Sequence, residues 1–345
     1  MAGDVLEASW TAARQATGGG IARRNVGDRL FRLITAIFAL TLLFVVASIV
    51  FVLAYESSDA MRTFRWGFLT TSAWDPVAKE FGALPFIYGT LVSSLLALAQ
   101  AVPLSIGTAL FLSELAPARV RAPVSFLIEL LATIPSVVYG LWGIFVLVPW
   151  MRSYLGPALQ GTLGFLPLFG GPNYGVGMLT ASMVLAVMVV PYVTSVATEV
   201  FQAVPAPQRE AALALGATRW EMIRTAVLPY GRTGVIGAVM LGLGRAIGET
   251  MAVTMVIGNR ADIGISVFSP ASTMASVIAN EFSEATYDLY VQVLVEIGLV
   301  LFVVTVVVNV LARLLVLRAA RSSHSGPAAT PAGGGTRTAG VVAGA

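Results

Sequence analysis

In the stretch LGLGRAIGETMAVTMVIG, Arg245 and Glu249 stand four residues apart, the spacing that sets two side chains one above the other on a helix face. The surrounding residues are apolar enough to lie in a bilayer, where a central arginine costs about 2.5 to 3.5 kcal/mol even on the lenient insertion scale. Such a residue belongs against protein or a water-filled path. Two kinds of chemistry fit. Arg245 can offer a permanent charge and several donors to an oxyanion in transit, while Glu249 holds the arginine between passages and keeps the anion from binding too tightly. Alternatively, the two form a permanent pair that keeps helices in register. Arg followed by Glu is the weaker order at this spacing in isolated helices, which favours a separate partner for one of the charges. Gly244 and Gly248 have small-xxx-small spacing beside the pair, so a neighbouring helix is expected to approach closely here.

Inventory excludes other chemistries. The single His is His324, in a Gly-, Ala- and Pro-rich tail, and Cys is absent, so a His base, a catalytic triad and a His- or Cys-based metal site are all ruled out. The single Lys, Lys79, has no glycine-rich loop around it, so the chain is not itself a P-loop ATPase. ATP-driven work, if any, must come from a partner.

The elements that position the charged pair are membrane spans. The 345 residues are 57% hydrophobic and 11% charged, with a mean hydropathy of +0.83, far from the composition of a soluble domain. Apolar runs long enough to cross a bilayer fall at about 33–55, 86–113, 125–150, 175–201, 233–258 and 287–317. Six spans put both termini on one side, in contact with membrane lipid throughout. Fifteen basic residues lie in the N-terminal segment (Arg14, Arg23, Arg24, Arg29, Arg32), the second connection (Arg119, Arg121), the fourth (Arg209, Arg219, Arg224, Arg232) and the C-terminal segment (Arg313, Arg318, Arg321, Arg337). Five lie in the opposite loops: Arg62, Arg65, Lys79, Arg152 and Arg260. This bias predicts cytoplasmic termini. The net charge of +3 therefore reflects topology and gives no case for nucleic-acid binding. The first run is too long and too far from the start to be a signal peptide, and reads as a retained anchor. The expected organisation is a cytoplasmic segment 1–28, a six-span domain 29–318 with a polar insert at 205–230, and a disordered cytoplasmic tail 319–345. Pro135, Pro149 and Pro191 are expected to kink helices.

The insert reads EAALALGATRWEMIRTAVLP from Glu210 to Pro229. Pro205 and Pro207 open it, the stretch Arg209 to Leu215 favours helix, and Gly216 suits the left-handed position that ends one. Thr218 and Glu221 have capping-box spacing for a second helix, which Pro229 is expected to stop. A plain polar loop needs none of this grammar. A DNA-binding helix-turn-helix is disfavoured because membrane spans hold both ends and Glu210 and Glu221 sit beside the arginines. A short helix lying across the membrane surface can instead fill a groove on a soluble motor domain.

These residues resemble a known pattern. Glu210-Ala211-Ala212, then Gly216, then Leu228-Pro229 look like the EAA motif of ABC importer permeases, although Ala226 stands where that pattern has Ile. The resemblance implies type I ABC importer permease architecture, an all-α polytopic fold in which this segment docks a cytoplasmic ATPase. Gly244-Arg245-Ala246-Ile247-Gly248-Glu249-Thr250 with the following Met251 to Asn259 narrows it to the phosphate importer permeases of the PstC type. Phe68 to Pro76 and Phe86 to Thr90 agree, and the likeness runs from about residue 28 to 318. It implies a subunit of an ATP-driven phosphate importer in the inner (plasma) membrane of a prokaryote, not itself catalytic and binding no cofactor, since ATP is used by the partner. It also implies a second, PstA-type permease, two copies of the ATPase and an external phosphate-binding protein. Arg245, Glu249 and Thr250 would then line the substrate path. Sulfate or molybdate in place of phosphate, a passive or ion-coupled anion channel, and a structural scaffold remain the alternatives at this stage.

Overall fold

The computed structural model describes residues 2–322. The tail from residue 323 onward lies outside the described residues. Six helices among those described are long and apolar enough to cross a membrane: Gly27–Glu56, Leu84–Leu115, Ser136–Leu163, Met178–Gln202, Arg219–Gly248 and Asp288–Leu314. The first belongs to a helix running Ala2–Glu56, so the segment before residue 29 continues the span as helix.

Two spans depart from the sequence pattern, each for a local reason. The third starts at Ser136 rather than near residue 125, because the helix Ala118–Thr133 ends before Pro135. Proline disfavours helical backbone in the residue before it, and Ile134 accordingly sits at ψ 129°. The fifth starts at Arg219 rather than 233. Pro229 does not stop the second helix of the insert; a π-helical turn, Ile223–Val227, precedes it, and the helix Leu228–Gly248 carries on through it. The same arrangement recurs. Each of the four π-helical turns among the described residues, Phe111–Leu115, Gly143–Leu147, Met151–Leu155 and Ile223–Val227, ends two residues before a proline: Pro117, Pro149, Pro157 or Pro229. In the last three the helix carries on, and the wider turn removes the clash between the proline ring and the carbonyl four residues back; after Phe111–Leu115 the helix instead ends, with Ala116 extended at ψ 129°. Pro191, by contrast, lies inside the uninterrupted helix Met178–Gln202.

The chain forms two compact units. One runs up to Gly89 and takes in Asn259–Ile263 and Ala271–Phe302; the other holds Thr90–Gly258, Gly264–Pro270 and the chain from Val303 onward. In the first, a short antiparallel hairpin pairs Trp74 with Phe81 and Asp75 with Glu80. Trp74 packs edge-on against Phe81 and Phe86 at 5.0 and 4.8 Å, and Phe81 stacks on Tyr290 at 5.3 Å. Asp75 closes the hairpin turn by accepting from the amides of Val77 and Ala78 at 2.8 and 3.0 Å. In the second unit the fourth span is the centre, with 61% of its apolar window buried against 33% or less in each of the other spans. The fifth span packs on it through a glycine: a Cβ at Gly242 would lie 2.7 Å from Val193 and 2.9 Å from Val189. Gly244 and Gly248 do not play that part, since a Cβ at either would meet nothing within 4 Å.

Candidate functional site

The break before Pro135 builds the site. A helix that ends leaves its last carbonyls without helical donors, and two tyrosine hydroxyls donate to them: Tyr139 to Leu131 and Tyr192 to Ala132, each at 2.8 Å. Tyr192 is thereby pinned on the fourth span. Its ring lies under the guanidinium of Arg245, with Cζ 4.4 Å from the ring centre, a cation–π contact. Arg245 is half-buried, and its Nε is buried without an acceptor. A charged donor left unmatched away from water is costly and marks a place where an acceptor belongs.

Glu249 does not stand above Arg245 on a helix face. The helix ends at Gly248, and Glu249 is extended at ψ 125°. The backbone accounting explains how the break is tolerated. In a continuous helix the amide of Ala252 would donate to the carbonyl of Gly248; instead it donates to Oε1 of Glu249 at 3.3 Å, and the Thr250 hydroxyl donates to that carbonyl at 3.4 Å. Glu249, only 9% exposed, thus caps the next helix, Met251–Val256. Arg245 forms no ion pair among the described residues, so the permanent Arg245–Glu249 pair is not observed. What the arrangement offers is a guanidinium held from behind by an aromatic ring, near two residues that occupy a helix break.

The polar insert keeps its predicted grammar. The helix Ala206–Ala214 ends in a Schellman motif, with Ala217 donating to Ala212 at 3.2 Å, Gly216 to Leu213 at 3.0 Å, and Gly216 at φ +85°. Thr218 and Glu221 form the full capping box: the Thr218 amide donates to Glu221 Oε2 at 2.8 Å, and the Glu221 amide donates to Thr218 Oγ1 at 3.3 Å. Glu210, Ala211, Gly216 and Pro229 are exposed, while Ala212 and Leu228 are half-buried. Leu215 and Trp220, 90% and 63% exposed, leave apolar surface on the same segment.

The sequence model of the binding-protein-dependent transport system inner membrane components matches residues 101–321. The phosphate transport system permease protein PstC of Mesorhizobium japonicum is 45% identical over 318 residues, covering 91% of this chain and 97% of that protein. The chain belongs to this family of permeases, among those of the PstC type. The PstC of Pasteurella multocida is 47% identical over 85% of this chain and 93% of its own length. A bacterial ABC transporter involved in import of the acidic polysaccharide alginate shares the fold at 19% identity, with a TM-score of 0.52 over 84% of this chain and 99% of that one. The permease is a multi-pass membrane protein of the all-α class that works within a transporter and is not itself catalytic.

Sequence reasoning missed three side chains of this permease. Tyr192 and Tyr139 read as ordinary aromatics in apolar spans, and only the helix break shows what they bind. Glu114, near the end of the second span, forms a bidentate pair with Arg209 at 2.9 and 3.2 Å. Gln292 and Glu296, polar residues four apart in the sixth span, belong to the other compact unit; there Gln292 lies 3.5 Å from Asp59, and Glu296 is buried.

Proposed function

We propose that this chain is the transmembrane subunit through which an ATP-driven importer passes inorganic phosphate, with Arg245 as the cationic waypoint. The observation that carries this reading is the guanidinium of Arg245, backed by Tyr192 and with a buried Nε that lacks an acceptor, in a permease whose relatives carry the name of phosphate transport. Phosphate brings oxygens that such a donor can bind with charge assistance. Glu249 and Thr250 border the waypoint. The negative carboxylate keeps the anion's stay short, and selectivity is left mainly to an external phosphate-binding protein.

The complex contains a second, PstA-type permease and two copies of a cytoplasmic ATPase, which alone binds ATP. The segment 205–230 docks on that ATPase through Glu210, Ala211, Ala212 and Gly216 and is joined to the fifth span at Leu228 and Pro229. The excess of basic residues on one side supports a cytoplasmic position for this segment and both termini. The test is uptake of labelled inorganic phosphate in the presence of excess sulfate. Uptake that persists, and that falls in Arg245→Gln at matched expression, supports the reading; sulfate uptake in its place overturns it.

A further inference from the structure

We propose that the Arg209–Glu114 pair is the link through which the coupling segment and the ends of the second and fourth spans move as one body. This rests on the reading of 205–230 as the ATPase-coupling segment. Arg209 lies on the helix Ala206–Ala214, one residue before Glu210. Its Nη2 donates to Glu114 Oε1 at 2.9 Å and its Nε to Oε2 at 3.2 Å, the fork-on-fork arrangement that fixes orientation as well as distance. The same guanidinium donates to the carbonyl of Phe201 at 2.7 Å and to that of Val204. Phe201 is in the last turn of the fourth span, where carbonyls lack helical donors. One side chain therefore ties together three elements. Glu114 lies in the π-helical turn that ends the second span.

The surroundings make this a mechanical link rather than a surface ion pair. The Glu114 side chain is 6% exposed and that of Arg209 21%. Arg219 and Arg224, the other cations of the segment, are exposed. Arg209 is thus the cation of the segment that turns toward the spans. A second arginine braces the acceptor's element: Arg121 Nη2 donates to the carbonyl of Ser113 at 2.8 Å. A lysine at 209 could keep the charge but could not satisfy both carboxylate oxygens and both carbonyls from one planar group.

The test uses the complete complex, purified with its own ATPase and reconstituted in lipid vesicles, with uptake of labelled inorganic phosphate and ATP hydrolysis measured in the same vesicles. In Arg209→Lys and Glu114→Gln, phosphate taken up per ATP hydrolysed is expected to fall about tenfold, within the usual span of coupling between linked sites, while permease and ATPase still co-purify in the wild-type ratio. A contact that served folding alone would lower the yield of complex and leave the ratio unchanged. An unchanged ratio in both variants overturns the link, and so does failure of both to assemble. A wild-type chain that brings no ATPase with it sinks the coupling reading itself, a result distinguishable from either.

Discussion

The guanidinium of Arg245 lies 4.4 Å from the centre of the Tyr192 ring, and the residue that holds it in place is an aromatic on another span rather than the carboxylate four positions along its own. Replacing Tyr192 by Leu should therefore mimic a partial loss of Arg245. A cation–π contact contributes about 0.5 to 2 kcal/mol, or roughly a 2- to 30-fold effect. Phosphate uptake is expected to fall by that factor at matched expression, chiefly through a higher KM. Tyr192→Phe keeps the ring and loses only the bond to Ala132, so its uptake should stay closer to wild type.

Glu249 caps the helix Met251–Val256 through the amide of Ala252. Glu249→Gln keeps an acceptor at that place, whereas Glu249→Ala removes it, and losing a cap costs about 0.5 to 2 kcal/mol. Thermal unfolding in detergent should show the alanine variant destabilised and the glutamine variant near wild type. Equal loss in both would mean that the charge, not the cap, holds the break.

Gly216 has φ +85°, and a Cβ there would meet nothing within 4 Å. The cost of Gly216→Ala is thus purely one of backbone, about 1 to 2 kcal/mol for an L-residue in the left-handed region. Gly216→Asn should cost less. Co-purification of the ATPase is expected to follow that order, with the alanine variant losing more partner than the asparagine variant.

How much of this was legible in the sequence depends on whether a feature is local. Gly216 and the Thr218–Glu221 box were readable because each is decided within a few residues by backbone conformation and one side chain. The Arg245–Glu249 pair was misread in geometry because four-residue spacing implies a shared face only if the helix continues, and nothing in the local pattern shows that Glu249 would take over the Ala252 amide. Pro135 was legible as a disturbance. That it frees carbonyls for Tyr139 and Tyr192 was not, since those contacts join different elements. Arg209 and Glu114 are 95 residues apart, and no periodicity relates them.

Glu281 supplies a pH test outside the spans. Burial raises its carboxyl above the ordinary 4.5, the indole of Trp74 acts in the lowering direction, and the nearby Glu284 raises it further. A raised folded-state value means that the folded protein holds this proton more tightly. The associated stability is full below the ordinary value and is lost as pH rises through the folded one. The melting temperature of the wild type minus that of Glu281→Gln should therefore decline as pH is raised from about 4 toward neutrality. A difference that rises with pH would contradict the half-buried placement of Glu281 beside Tyr290, whose hydroxyl donates to it.

Pro229 offers the last test, because it stands where the π-helical turn Ile223–Val227 runs into the helix of the fifth span. The turn takes up the residue that an α-helix running into a proline could not place without a clash. In Pro229→Ala that constraint is gone, and an α-helical ladder becomes available from Arg219 through Gly248. Returning one residue to α geometry rotates the segment before it by about 100° and shifts it by about 1.5 Å relative to the span. The helix itself should be no less stable, yet the face carrying Trp220 would point elsewhere. The chain has no Cys, so single cysteines at Trp220 and Leu241 can carry spin labels without a background. The distance between the labels is expected to change in Pro229→Ala, with phosphate uptake lost and the melting temperature held or raised. An unchanged distance would place the origin of the π turn in the packing around it rather than in the proline.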